Sequence, residues 1–599
     1  MHRIIRPWAL ITLGLCGGLA HAGSALDRVQ ERAERLLSND RGGPSEILYV
    51  GPGGAPCDHP DFDDALAAAA PGAEIRLTFG PFSGPFVTGE KSLTVVGGFS
   101  ACGEPTPVGR TNLVGNDAST VLSLLSADGS ASFELRNLLI EDGRGASLAG
   151  GLDIRGGINV VLRNVLIRLS NSASDGGGIR VAHSNNTDGA LVVLLNQTEL
   201  IDNVASSKGG GLACLGNGGN QHVVILDNGR IISNNAGSGG GVYARNCTFV
   251  SLAGGENQGI TDNLAQNGGG IYATGGSQVA LDGTAPGFLT PGNPEDSALL
   301  AGNRAFSDGG GVYLTGATTT FRAVDADIAA NEAQDGAAIY SIEGAGVTVE
   351  RGPETDCRRF DSPGSPPPCS RIRGNVSDQF YTILVAGDGA EGRISQTFIH
   401  DNQTGSSINS PLIRIYSDVG GESSRLELEG VVIHDNNVNL VLVETWNDSF
   451  LEVLWSTVAD NVLGGMSPAL FQTWVQNGAA PEQRIFYGSI IHQPGLPVAD
   501  STDSQNSFFF CSIAQDLGFP GQISQSIAAD PEFLDAAANN YHVSPESPAV
   551  DFCAEGSWPP AYPDMDGQTR GTATTNPGTP FDAGADEALD RIFADRFLD

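Results

Sequence analysis

One short cassette recurs along the middle of the chain, and its clearest copy reads Ile231-Ile232-Ser233-Asn234-Asn235-Ala236-Gly237-Ser238-Gly239-Gly240-Gly241-Val242. It combines an Asn-containing turn, a short polar spacer, a glycine triplet and an aliphatic residue. Six triplets, the last of them degenerate, start 33, 30, 29, 41 and 27 residues apart, at Gly176, Gly209, Gly239, Gly268, Gly309 and Gly336. Self-similarity at a period of about 20 to 50 residues is typical of solenoids, whose units bury their apolar faces on one another.

A second mark is an aliphatic residue followed three positions later by asparagine. The asparagines of this series are Asn203, Asn234, Asn263, Asn303, Asn331, Asn375, Asn402, Asn436 and Asn461. If the coils stack about 4.8 Å apart as parallel strands, these side chains fall in line and can form a structural ladder of amide hydrogen bonds. The aliphatic residue then points inward, and the glycines supply positive φ and close backbone approach at a corner.

The composition restricts the classes of function. A chain of 599 residues is too long for one conventional globular core, and the repeat favours an elongated stack. The formal net charge is −37, and the only two lysines are Lys91 and Lys208, so no nucleic-acid partner is expected. The acidic surface suggests solubility or cation binding.

The chain divides into six segments. A signal peptide is predicted over residues 1–22, because the basic residues Arg3 and Arg6 are followed by an apolar run and by the small-x-small site Ala20-His21-Ala22. Residues 23–46 form a leader, 47–111 an N-terminal cap and first coils, 112–511 the coils, 512–589 the last coils and a C-terminal cap, and 590–599 a tail. A short helix over 61–70 is expected to cover the open first coil. The mature protein is expected to be exported, secreted or associated with the outer membrane or cell surface, with no transmembrane segment and an unknown oligomeric state.

Eight cysteines follow the predicted signal peptide: Cys57, Cys102, Cys214, Cys247, Cys357, Cys369, Cys511 and Cys553. An even number in an exported chain suggests disulfides, although eight cysteines permit 105 pairings. Pairing of nearest neighbours along the chain is the simplest scheme. Zinc is the competing interpretation, and neither a C-x-x-C pair nor a nearby His cluster supports it.

These marks resemble the right-handed parallel β-helix, or pectin-lyase-like, superfamily. The paired aliphatic-x-x-Asn and Gly-Gly-x-aliphatic patterns are similar to the repeats of polymorphic outer-membrane proteins, over about residues 200 to 461. The segments 547–551 and 564–570 are similar to the ends of exported bacterial β-helix proteins. The resemblance implies an all-β fold, a single-stranded right-handed parallel β-helix solenoid with an N-terminal helical cap and a C-terminal cap.

No catalytic residue is assigned from the sequence. A pectate-lyase-like site would need a basic residue beside calcium held by clustered acids, and the available arginines form no such group: Arg155, Arg163, Arg180 and Arg245. Asn186-Thr187-Asp188 matches one piece of a polygalacturonase-like pattern, whose other pieces do not follow. Asp564-x-Asp566-Gly567 begins like a calcium loop, but a polar turn is favoured. No cofactor is therefore expected, and Ca²⁺ is left open.

Two sets of rings are further candidates. His400 and His434 occupy the same position of the repeat. They are expected to stack because the repeat places them side by side, without a functional role. The second set is Trp446, Trp455 and Trp474. One hypothesis makes them a sugar-stacking platform, and the favoured one is that they pack against loops.

The sequence favours an exported, non-catalytic β-helix scaffold, a surface or adhesion-type protein that presents loops to a glycan or protein partner. The alternative is a polysaccharide lyase or glycoside hydrolase. Two or three carboxylates with an arginine, facing outward across adjacent coils in a groove, would indicate the enzyme.

Overall fold

The computed structural model describes most of the chain from residue 44 onward. The described residues are 44–53, 56–126, 131–183, 192–218, 222–252, 258–284, 298–352, 370–387, 389–405, 407, 410–465, 468–475, 483–499, 507–518, 521–553, 564 and 581–585. The predicted signal peptide and tail, the Cys357 and Cys369 pair and Asn186-Thr187-Asp188 lie outside them.

Three long parallel sheets run along the molecule. Each coil crosses them in the same order, as in Leu152–Gly156 on sheet III, Asn159–Arg163 on sheet I and Leu166–Arg168 on sheet II. The chain then passes a short corner strand, Asn171–Ser172, and re-enters sheet III one coil further along. The predicted all-β, right-handed parallel β-helix is confirmed.

The described strands of the sheets are as follows. Sheet I has 17: Ile47–Val50, Ala73–Thr78, Leu93–Phe99, Ser132–Arg136, Asn159–Arg163, Val192–Asn196, His222–Asp227, Cys247–Leu252, Gln278–Asp282, Thr320–Val324, Gly346–Glu350, Glu391–Ser395, Arg425–Glu429, Phe450–Leu454, Gln483–Tyr487, Ser507–Phe510 and Gln522–Ser524. Sheet II has 16: Pro81–Ser83, Thr111–Val114, Leu138–Glu141, Leu166–Arg168, Glu199–Ile201, Arg230–Ile232, Gly259–Thr261, Ala298–Ala301, Ala326–Ala329, Arg371–Arg373, Phe398–His400, Val432–His434, Thr457–Ala459, Ile490–His492, Ile513–Ala514 and Ile527–Ala528.

Sheet III and the corner complete the coils. Sheet III has 13 described strands: Phe86–Val87, Leu122–Ser126, Leu152–Gly156, Ile179–Ala182, Leu212–Leu215, Val242–Arg245, Ile271–Thr274, Val312–Thr315, Ile339–Ile342, Ile383–Ala386, Ile413–Tyr416, Val441–Trp446 and Ala469–Trp474. The corner strands are Arg144–Gly145, Asn171–Ser172, Val204–Ala205, Asn235–Ser238, Leu264–Asn267, Arg304–Ala305, Glu332–Ala333 and Val376–Ser377, and a separate pair, Asn437–Val438 and Val462–Leu463.

The core lies inside the coils because alternate strand residues point inward. In sheet III, Leu152 pairs with Ile179 and Ile154 with Val181, and all four are fully buried. The aliphatic residue of the Asn mark is buried as well, for example Ile231. Each coil therefore covers the apolar face of its neighbours.

Both ends carry additional elements. The helix Phe62–Ala68 buries Phe62, Ala65 and Leu66 against the first coils, and the Phe62 ring lies 4.8 Å from the ring of Phe86. At the other end, Phe533–Asp535 and Asn540–Val543 form an antiparallel hairpin around the 3₁₀ turn Ala536–Ala538. No helix in the described part of the chain is long and apolar enough to cross a membrane.

The asparagines of the second mark form a continuous buried row at one corner. The backbone N–H and the side-chain Nδ2 of each donate to Oδ1 of the next, as from Asn203 to Asn234 at 3.0 Å each. Nδ2 also donates to a carbonyl of the preceding coil, as from Asn234 to Leu200 at 2.9 Å. The same bonds connect the row through Asn263, Asn303, Asn331, Asn375, Asn402, Asn436 and Asn461. Its ends are Ser170 and, after Asn461, Gln493 and Gln515.

The residue before each row asparagine has a left-handed backbone conformation. The φ angles of Asp202, Ser233 and Asp262 are all 55°. Gly, Asn and Asp tolerate this region best, and Asp or Gly stands at most of these positions: Asp202, Asp262, Gly302, Gly374, Asp401, Asp435 and Asp460, with Ser233 and Ala330 as the exceptions.

The glycine triplets form the next corner. The first glycine of each has φ between 62° and 73°. A Cβ on the second, Gly240, would lie 2.5 Å from the carbonyl oxygens of Gly269 and Leu264. The triplet therefore satisfies two requirements, a left-handed turn and contact between backbones of successive coils.

Among the described cysteines, three disulfides join nearest neighbours along the chain: Cys57–Cys102, Cys214–Cys247 and Cys511–Cys553. Cys214 is in sheet III and Cys247 in sheet I of the following coil, and both are fully buried. Disulfides are typical of extracellular or periplasmic proteins.

Asn234→Ala is expected to lower the free energy of unfolding by about 2–4 kcal/mol, because the buried N–H of Asn203 and carbonyl of Leu200 lose their partners. Asn235→Ala is the matched control, since the adjacent Asn235 is exposed. Urea unfolding followed by tryptophan fluorescence measures both. Equal effects of the two substitutions would contradict a stabilising role of the row.

Lowering the pH is expected to reduce the folding stability of the C-terminal end of the protein, through protonation of His434. Its ring stacks on His400 at 5.0 Å and contacts Tyr541 of the terminal hairpin at 5.0 Å. Burial, followed by the charge of His400, lowers the pKa of His434 from 6.5 to about 4. Between these values the unfolded chain binds a proton that the folded chain does not, so stability falls as the pH falls.

His434→Phe keeps a ring against Tyr541 but removes the titration, and it should reduce the loss of thermal stability between about pH 6.5 and 4. His59→Gln, at the other end of the molecule, is the control and should retain the wild-type loss. An unchanged acid response of His434→Phe would disprove this role.

Candidate ligand-binding slot

The outward face of sheet III carries two rows of side chains. They come from the second and fourth residues of its strands, because the first and third point into the core. Exact register between coils keeps equivalent residues side by side, as for Tyr272, Tyr313 and Tyr340. Any ring placed at these positions therefore stacks on its counterpart.

The second positions form a tyrosine row. The ring centroids are 5.3 Å apart between Tyr243 and Tyr272, 4.7 Å between Tyr272 and Tyr313, and 5.0 Å between Tyr313 and Tyr340. Burial raises the pKa of each hydroxyl, that of Tyr243 to about 12. Because the faces cover one another, the middle of this row stabilises the stack and offers a ligand mainly ring edges and hydroxyls.

The row is interrupted at the strand Ile383–Ala386. Leu384 follows Tyr340, and Ala386 follows Ile342. The smaller side chains leave a depression of about 320 Å³, here called the slot. Its lining residues are Tyr340, Ile342, Glu343, Tyr381, Leu384, Ala386, Gly387, Arg414, Tyr416 and Asp418.

The walls of the slot belong to the coils on either side of its floor. Leu384 pairs with Tyr340 in one direction and with Arg414 in the other, and Ala386 pairs with Tyr416. Two coil spacings separate these walls by about 10 Å. Over Leu384 this gap already holds the ring of Tyr381, whose centre lies 6.3 Å from that of Tyr340 and 4.9 Å from the guanidinium carbon of Arg414. Packing on both faces of a ring requires about 3.5–4 Å on each side, so the part over Ala386, between Ile342 and Tyr416, is wide enough for one ring.

Aromatic rings support both walls. Tyr381 lies against Tyr340 at 6.3 Å between centroids, and its hydroxyl shares a hydrogen bond with that of Tyr340. On the other wall, Tyr416 contacts Trp446 at 6.2 Å, and Trp446 stacks on Trp474 at 5.9 Å.

Arg414 is the cation of the slot, and its charge is balanced. Its Nε lies 2.6 Å from Oε2 of Glu444, whose side chain is 1% exposed. Its guanidinium carbon is 4.9 Å from the ring centre of Tyr381 and 5.7 Å from that of Trp446. Glu444 therefore neutralises the charge of Arg414, and the guanidinium also makes cation–π contacts with the two rings.

Two exposed carboxylates flank the mouth. A Cβ on Gly387 would lie 3.4 Å from the backbone nitrogen of Glu343 and 3.9 Å from Oδ2 of Asp418. Thr315 Oγ1 donates to Glu343 at 2.5 Å. Burial and then a hydrogen bond with Asp418 raise the pKa of Tyr416. The mouth therefore carries two negative charges, on the two coils that flank the coil of Gly387.

A second carboxylate pair lies behind the tyrosine wall. Asp308 and Asp335 are paired across neighbouring coils. Burial, and then the charge of Asp308, raise the pKa of Asp335 to about 6, and burial raises that of Asp308. The charge of Asp335 also acts on Tyr340 and Tyr381, two residues of the slot.

The other residues selected from the sequence are dispersed. Trp455 packs in the C-terminal end against Tyr487 and Phe581, 2% exposed. Arg155 and Arg180 both bind the buried Asp153, and Arg163 binds Glu134. Of the calcium-loop candidate only Asp564 is described. No group of three or more potential metal ligands occurs among the described residues.

Comparisons with known proteins support no family assignment. No protein-family model and no curated protein matches the chain. Among solved structures, pectate lyase Pel9A is similar at 12% identity over 91% of this chain and 97% of its own, with a TM-score of 0.23. The GH136 lacto-N-biosidase from Eubacterium ramulus has 11% identity, coverage of 84% and 72%, and a TM-score of 0.15. A mutant of the PL6 family alginate lyase AlyGC has 12% identity, coverage of 78% and 78%, and a TM-score of 0.16. At these values the three structures carry no argument about activity.

Sequence reasoning missed the tyrosine row, the slot and Arg414. The row has a visible signal, because Tyr243, Tyr272, Tyr313 and Tyr340 each stand four residues after the start of a glycine triplet. The slot has no comparable signal in the sequence, because it arises where the smaller residues Leu384 and Ala386 lie between larger ones on neighbouring coils.

Proposed function

We propose that the protein is an exported β-helix scaffold that binds a glycan by accepting one sugar ring in the slot. The width of the slot at Ala386 supports this proposal, because this small residue lies between Ile342 and Tyr416 on the flanking coils. Aromatic walls with a few convergent polar groups are typical of sites for small ligands. The ligand thereby contacts sheet III, whereas the sequence predicts presentation by loops; residues 285–297 and 353–369 lie outside the described part of the chain.

The test fills the slot. Ala386→Trp is expected to weaken binding of its best oligosaccharide at least tenfold, because the indole takes the place of the sugar ring. Thr274→Trp is the matched control, since Thr274 has the same position in a strand three coils away and outside the slot. Calorimetric titration against neutral, amino and uronate oligosaccharides measures both variants. Equal affinity of the Ala386→Trp variant and the wild type would rule out the slot as the site.

Glycan cleavage is the second candidate, and the carboxylates favour it. The slot combines Glu343, Asp418 and Arg414 on an outward face, as an enzyme would require. However, Arg414 is neutralised by Glu444 and the two carboxylates are exposed. Asp335 fits a general acid better, because its raised pKa keeps it partly protonated near neutrality.

If Asp335 acts in this way, reducing ends should appear from a glycan substrate, activity should fall as the pH rises above about 6, and Asp335→Asn should abolish it. Parallel assays with Ca²⁺ and with chelator would detect unsaturated products of a lyase. Absence of any product across neutral, amino and uronate polysaccharides would leave binding as the function.

A further inference from the structure

The charges of the slot specify its ligand further. We infer that the slot selects a sugar ring that carries a protonated amine, an inference that rests on the proposed glycan binding. Three charged side chains line the slot: Glu343, Asp418 and Arg414. Arg414 is already paired with the buried Glu444. The two carboxylates at the mouth therefore set the sign of the field that a ligand meets.

The aromatic surface is independently suited to cations. Tyrosine rings on this side of the molecule hold cations of the protein at two places: Lys208 Nζ lies 5.3 Å from the ring centre of Tyr243, and the guanidinium carbon of Arg414 lies 4.9 Å from that of Tyr381. Aromatic faces attract ammonium groups through the ring quadrupole, and more strongly where water is excluded. Tyr416 presents such a ring to the slot from one wall, whereas the ring of Tyr340 is stacked between those of Tyr313 and Tyr381.

The carboxylates lie where an amine on an inserted ring would reach them. Glu343 and Asp418 stand on either side of Gly387, at the mouth, and the floor beneath is apolar, formed by Leu384 and Ala386. When the faces of the ring pack against the walls and one ring edge rests on this floor, a polar substituent on the opposite edge lies at the mouth. An ammonium there meets two carboxylates, whereas the carboxylate of a uronate meets two like charges. Asp308 and Asp335 add to the negative potential behind the wall.

The experiment compares three hexamers by calorimetric titration with the full-length mature protein: glucosamine, N-acetylglucosamine and galacturonate. It is done at low salt and at a pH where the glucosamine amines are protonated. The glucosamine hexamer is expected to bind at least about tenfold more tightly than the N-acetylated hexamer. Added salt should reduce this advantage, and the galacturonate hexamer should show no binding.

The double variant Glu343→Gln with Asp418→Asn should bring the glucosamine hexamer to the affinity of the N-acetylated one. Asp117→Asn, an exposed acid near the N-terminal end, is the charge control and should leave the preference unchanged. Thermal unfolding verifies that the variants fold, and the comparison of hexamers on the wild type needs no variant.

The outcomes separate the two claims. Equal or tighter binding of the N-acetylated hexamer or of galacturonate would overturn the selection for an amine and leave glycan binding intact. Loss of the preference in Asp117→Asn would also overturn it, because bulk charge would then explain the effect. No binding of any hexamer would overturn both.

Discussion

The structure depends on one corner at which the chain must turn in the same way in every coil. There a left-handed residue places the following asparagine inside the coil, where its amide bonds four backbone or side-chain groups of the two neighbouring coils. Because buried backbone groups need partners, the row fixes both the position of the corner and the register between coils. Serines take a similar part at a second corner in the late coils, from Ser456 through Ser489 and Ser512 to Ser526.

Fixed register has a chemical consequence on the outside of the sheets. Equivalent positions lie one strand spacing apart, so a repeated side chain becomes a continuous row. The tyrosines of sheet III show this, and so do the two stacked histidines of sheet II. A row by itself covers its own faces, and a ligand gains access only where the repeat fails. The slot lies at such a failure, at Leu384 and Ala386.

The electrostatics follow the same geometry. Sheet I pairs charges across coils, as between Arg163 and Glu134 or Arg425 and Glu452, so these charges balance one another. On sheet III the only arginine of the slot is neutralised by Glu444, and Glu343 and Asp418 remain. The strongly acidic chain therefore concentrates unbalanced negative charge at an aromatic depression.

By itself the sequence determined the solenoid. The glycine triplets and the aliphatic-x-x-Asn mark recur with a period of about 30 residues. Each marks a turn whose local backbone conformation Gly, Asn and Asp adopt most easily. The short helix at Phe62–Ala68 follows from local signals too. The slot was decided only by the tertiary structure. Tyr340, Leu384 and Arg414 are more than 25 residues apart from one another, and an insertion between the coils of Tyr340 and Leu384 hides their alignment. Likewise, His434 looks like a surface histidine until Tyr541, from a distant hairpin, covers it. Local conformation is encoded by neighbours in the chain, whereas a surface depression and a displaced pKa depend on which coils come to lie side by side.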